Sequence, residues 1–135
     1  MDIMYPIFTL VMFTFVMAFA VGSSRFISVR RRQVNPKYFV LMTGDAPPEY
    51  VQKLSRNFAN LLEVPMLFYV LGAFVMALDI NNSALVQHAW LFVGLRVVHS
   101  IIHVTYNHVI HRFTVFVLST LALLAMWIQL ISLVG

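Results

Sequence analysis

Residues 3–24 carry no charged side chain and run up against an arginine, Arg25. At 1.5 Å per residue, a helix of that length crosses the hydrocarbon core of a bilayer, about 30 Å thick. Three further apolar runs follow, in a chain of 135 residues that is 61% hydrophobic and 10% charged. Soluble domains carry about 25% charged residues. The pattern is that of an all-α, polytopic membrane protein, a four-helix transmembrane bundle in a single domain over residues 1–135. Spans are expected at 3–26, 49–78, 84–106 and 113–134. The first is expected to be retained rather than cleaved as a signal peptide. Met1-Asp2-Ile3 lacks a positive charge, and the run ends in arginine instead of a cleavage site.

Charge and cysteine content narrow the chemistry. The formal net charge is +4, but there is no basic stripe on a soluble face, so nucleic acid is not an expected partner. The chain has no cysteine, which rules out disulfides, thiolate metal sites and a protein thiol nucleophile. Any thiol chemistry must use a thiol that a ligand brings. Basic residues cluster in the first loop, at Arg30-Arg31-Arg32 and Lys37, and again at Arg112, while residues 79–83 hold none. By the positive-inside rule both termini lie outside and the two basic loops face the cytoplasm. The arginine cluster sets this orientation and attracts anionic lipid at about 1 kcal/mol per residue. Tyr5, Trp90 and Trp127 lie towards span ends and read as interfacial anchors.

Two spans nevertheless carry polar residues into the membrane. Lys53, Arg56, Asn60 and Glu63 fall within about 80° of one helical face, by the 3.6-residue period. Arg96, His99, His103 and Tyr106 repeat the same spacing on the third span. Ionisable groups in lipid are costly and mark functional sites. The topology brings both stripes to the cytoplasmic end, where they can face each other. Pro65 removes a backbone donor and is expected to kink the second span just past its stripe.

Arg56, Arg96 and Arg112 outnumber the one nearby carboxylate, Glu63, and such a surplus suits an anionic ligand. Asn60 could read an amide, and Glu63 an ammonium. The structural alternative is that Glu63 pairs with Arg56 or Arg96 in a neutral polar core. His99 and His103, at i and i+4, form a usable metal pair. The chain's five histidines are too few for the histidine boxes of membrane di-iron oxygenases, so no metal is expected. Histidines in such spans more often bond other helices or face head groups.

Arg56-x-x-x-Asn60-x-x-Glu63-x-Pro65, then Arg96-x-x-His99, then Arg112 ahead of the last span, resembles the MAPEG family, the membrane-associated proteins in eicosanoid and glutathione metabolism. The resemblance covers nearly the whole chain, including Asn35-Pro36 in a basic first loop, and is closest to small bacterial members. It implies a homotrimer in a bacterial inner membrane, with glutathione as co-substrate between subunits near the cytoplasmic side. It implies that Arg56, Asn60 and Glu63 hold glutathione, and that Arg96 and His99 close the site. His103 stands at a ligand-contacting position, and Arg112 lies by the thiol as the catalytic group that stabilises the thiolate.

The chain departs from the prostaglandin synthase branch of that family. Ala59 replaces an arginine, and His103 and Phe116 replace tyrosines. The first-helix arginine of that branch has only Arg25 and Arg30 as shifted counterparts. The function implied is that of a glutathione transferase or peroxidase acting on lipophilic electrophiles from the bilayer. The alternative is a non-catalytic membrane module that binds an anionic ligand or lipid, with the polar stripes as structural glue.

Overall fold

The computed structural model describes residues 2–135. Four long helices, each long and apolar enough to cross a membrane, are α1 (Met4–Arg30), α3 (Glu49–Ala77), α4 (Ser83–Val104) and α5 (Val109–Val134). A one-turn helix, α2 (Tyr38–Leu41), lies in the first loop. No strand occurs among the described residues.

The helix bounds differ from the sequence reading most at the end of α1 and the start of α5, by four residues each, for local reasons. α1 runs a turn beyond residue 26, to Arg30, and closes with Arg32 in the left-handed region, φ 57°. There the Arg32 N–H donates to the Val29 carbonyl at 3.0 Å and the Gln33 N–H to the Ser28 carbonyl at 2.9 Å. That bonding pair is the Schellman closure, which satisfies carbonyls a helix end would leave open. α3 ends the same way, with Asp79 at φ 51° and the Ile80 N–H donating to the Val75 carbonyl at 3.0 Å. At the start of α4 the Asn82 side chain caps the Leu85 N–H at 3.1 Å. α5 begins at Val109 rather than at 113, so His111 and Arg112 lie in its first turn and not in a connecting loop.

α3 and α4 pack against each other at the centre, while α1 and α5 stand at opposite corners and share no contact among the described residues. Phe68 and Phe92, both wholly buried, meet across that central pair with ring centroids 4.8 Å apart. Leu10, Leu61, Leu71 and Met126 fill the space around them with no exposed surface. α3 continues unbroken through the buried Pro65. Proline there removes the bond that the Leu61 carbonyl would accept. The outward faces are apolar too: Phe15 is 67% exposed, Phe19 78% and Ile128 63%. Apolar patches of that extent belong against lipid or another chain.

α1 approaches α3 closely at Gly72, where a Cβ atom would run into the Ile7 side chain. Gly72→Val should therefore destabilise the bundle by about 1–3 kcal/mol, the usual cost of overpacking. Adding Ile7→Ala should restore part of the loss. Thermal unfolding in detergent checks both.

Candidate functional site

The antiparallel packing of α3 on α4 sets the N-terminal half of one beside the C-terminal half of the other. Lys53 reaches across to the Thr105 carbonyl at 2.9 Å, and Arg96 reaches Asn60. The Arg96 side chain has no exposed surface. Its Nη2 donates to the Asn60 carbonyl at 3.1 Å and to Asn60 Oδ1 at 3.2 Å. Its guanidinium also stands 5.8 Å from the centre of the Phe116 ring. Nε and Nη1 have no partner. Desolvating such a charge costs several kcal/mol unless a counter-charge repays it.

Among the described residues no carboxylate forms an ion pair with Arg96. Among the described residues the one ion pair joins Lys53 to Glu49, at 2.8 Å. Glu63 is exposed and pairs with neither Arg56 nor Arg96, so the self-neutralised polar core is not what the single chain forms.

His99 lies one turn along α4 from Arg96. It is buried, its Nδ1 is unpartnered, and its ring is 6.0 Å from Phe116. His103 is buried one turn further, with its ring edge-on to His99 at 5.8 Å and its own Nδ1 unpartnered. No group of three or more His, Asp or Glu side chains among the described residues is placed to hold a metal ion. Arg112, in the first turn of α5, donates from Nη1 to Asn107 Oδ1 at 2.7 Å. Asn107 sits at φ 51°, in the turn between α4 and α5. A recess of about 210 Å³ opens here, lined by Asn60, His99, Val109, Arg112, Phe113 and Phe116.

The sequence stripe on the second span thus divides. Asn60 turns towards Arg96 and the recess. Arg56 and Glu63 stay on an exposed face of α3 that also carries Ala59, Leu62, Met66 and Val70. Arg56 borders a different recess, with Arg25 and Ser55. Arg25 lies beside Ser55, and Arg30 is exposed at the end of α1. The stripe on the third span holds together: Arg96, His99 and His103 are all buried, while Tyr106 is exposed.

Sequence reasoning missed two residues. Asn57 is fully buried with both amide atoms unpartnered, and no spacing pattern marks it. Asn107 fixes Arg112, and an asparagine ahead of a helix start is a signal for a left-handed turn residue.

The MAPEG family model matches residues 3–132. The chain belongs to the MAPEG family. The match runs from just ahead of α1 into the last turns of α5, so it takes in every side chain of the recess. No curated protein matches the chain. Membership agrees with the four apolar helices: this is an integral, multi-pass membrane protein of the MAPEG type.

Two outcomes follow from the site's geometry. Arg96→Met should raise the ligand-free stability, by about 1–4 kcal/mol, because an apolar side chain of similar volume removes an unpaired buried charge. Calorimetry without ligand reads this directly. Asn107→Val should cost about 1–2 kcal/mol for the left-handed backbone, whereas Asn107→Gly should keep the turn and release only Arg112. Comparing the unfolding midpoints of the two variants separates these effects.

Proposed function

We propose that this protein is a glutathione-dependent membrane enzyme of the transferase or peroxidase type, acting on lipophilic electrophiles that reach it from the bilayer. The observation that carries the reading is Arg96: a wholly buried guanidinium with two free donor positions and no carboxylate partner. Its neighbours suit a peptide anion. Asn60 and Arg96 can engage carboxylate and amide groups, and His99 and His103 offer unpartnered ring nitrogens. The MAPEG family includes glutathione-linked enzymes, which favours glutathione among anions of this size.

When bound, glutathione would supply the thiol that the chain lacks. Arg112 is the group we assign to catalysis. A guanidinium beside a thiol favours the thiolate, which is the reactive form. Asn107 holds that guanidinium in one orientation, so its charge is in place without reorganisation. Phe113 and Phe116 give the same recess an apolar wall suited to an electrophile from lipid.

The working unit on this reading is a homotrimer. Glu63 is exposed at the middle of α3, where a charged side chain costs roughly 2.5–3.5 kcal/mol, and Arg56 is exposed two turns nearer the helix start. Covering that face with another copy would let Arg56 and Glu63 reach the glutathione of a neighbouring subunit. The recess of about 210 Å³ also falls short of the roughly 300–1,000 Å³ of a small-molecule site, as half of a shared site would. We place the protein in a bacterial inner membrane with both termini outside. In support, Lys53, Arg56, Arg112 and the arginine-rich first loop share one end of the bundle, and residues 79–83 at the other end carry no Lys or Arg.

The test is turnover of a generic electrophile by purified protein with glutathione. Activity above background is expected, and Arg112→Gln should lower kcat by roughly 10²-fold, as loss of one charge-stabilising donor does. KM for glutathione should change little. A wild-type rate equal to background, with glutathione still bound, would instead favour a non-catalytic anion-binding module.

A further inference from the structure

The turn between α4 and α5 decides where the Arg112 guanidinium stands, and a lysine ties that turn to α3. Lys53, in the second turn of α3, borders neither the recess of Arg112 nor the one beside Arg56. Its Nζ donates to the Thr105 carbonyl at 2.9 Å and pairs with Glu49 Oε1 at 2.8 Å. Glu49 lies one turn ahead of Lys53, the favourable order for such a pair on a helix. The Lys53 side chain is only 19% exposed, so it lies along the junction of the two helices rather than out in solvent.

Thr105 caps the C-terminal end of α4. Its carbonyl accepts no backbone hydrogen bond among the described residues, so it is one of the acceptors a helix end leaves open. A cation there also meets the negative end of the α4 dipole. Two residues on, Asn107 passes through the left-handed region at φ 51°, and its N–H donates back to the Ile102 carbonyl at 2.8 Å. Asn107 Oδ1 then accepts from Arg112 Nη1 at 2.7 Å. On the exposed side, Tyr106 Oη and His111 Nδ1 lie 3.0 Å apart across the same turn. Among the described residues, the bond from Lys53 is the only hydrogen bond that residues 105–108 receive from outside α4 and α5. A short set of bonds thus runs from α3 through Thr105 and Asn107 to the guanidinium. Misplacing a group by about 1 Å can cost 10²-fold in rate.

We propose that Lys53 is a positioning residue for Arg112: by holding the Thr105 carbonyl it fixes the α4–α5 turn against α3, and with it Asn107 and the guanidinium. This assignment rests on the glutathione reading, which supplies the thiol beside Arg112. Lys53 itself makes no contact with glutathione on this account. A guanidinium whose anchor drifts stabilises a thiolate less, because a charge set in advance acts without reorganisation.

The test follows the thiolate of glutathione bound to the purified protein, by its ultraviolet absorbance as pH is varied, alongside turnover of a generic electrophile. Lys53→Met keeps the aliphatic stem and a good helix former while removing the bond. It should raise the midpoint of thiolate formation by about one pH unit, a ten-fold change in thiolate below the midpoint. There kcat should fall by about as much, with KM for glutathione little changed. Lys53→Arg, which can reach the same carbonyl, should restore the wild-type midpoint. In an Asn107→Gly background, where Arg112 is already released, Lys53→Met should add no further shift.

A full further shift in that background would overturn the proposal, since Lys53 would then act by its charge across space. A raised KM with an unmoved midpoint would also overturn it, by making Lys53 a ligand contact. If Lys53→Met lowers only the unfolding temperature, with midpoint and kcat those of the wild type, the bond is a structural tie and the glutathione reading survives without this role for Lys53. A wild type whose bound glutathione forms no thiolate would overturn that reading and the role of Lys53 together.

Discussion

An arginine with no exposed surface and no carboxylate partner is the interaction on which the rest of this structure turns. Arg96 donates hydrogen bonds to Asn60 alone, to one carbonyl and one amide oxygen, and keeps donors to spare. Neutral acceptors do not repay the desolvation of a full charge. The chain tolerates this arrangement directly behind a recess where α3, α4 and α5 converge, whose lining includes Arg96's neighbours Asn60, His99 and Phe116. On the proposed reading, stability given up at Arg96 in the ligand-free state would be returned on binding, a common trade at functional sites.

The bundle places the surrounding groups with few devices. Antiparallel packing of α3 and α4 aligns Asn60 with Arg96 and leaves His99 and His103 following along the same buried face. The left-handed turn at Asn107 starts α5 early enough to put Arg112 in its first turn, and the same side chain then fixes the guanidinium. Gly72 lets α1 lie close against α3. Two recesses that carry arginines both draw on α3, one with Arg112 and one with Arg25 and Arg56.

Much of this was legible in the sequence, because charges in apolar runs are rare and their spacing is informative. The four spans, and the burial of Arg96, His99 and His103 on one face of the third, follow from hydropathy and helical period. The second span was harder. In a membrane both the core and the lipid face are apolar, so hydropathy does not say which side of α3 turns inward. Asn60 faces Arg96, while Arg56 and Glu63, a few tens of degrees away by the helical period, are exposed. Asn57 interrupts the buried face with an amide that no periodic pattern flags. The start of α5 at Val109 is not marked by hydropathy, because His111 and Arg112 are polar, although the first turn of a helix accepts polar residues readily. The absence of an ion pair at Glu63 depends on side-chain placement that spacing does not encode.

The most direct measurement is the unfolding midpoint of purified protein titrated with glutathione, in the wild type and in Arg96→Met. A saturable rise in the wild type that disappears in Arg96→Met is the expected result, since the buried guanidinium is then what the ligand neutralises. No rise in the wild type, or an equal rise in both proteins, would contradict the central claim.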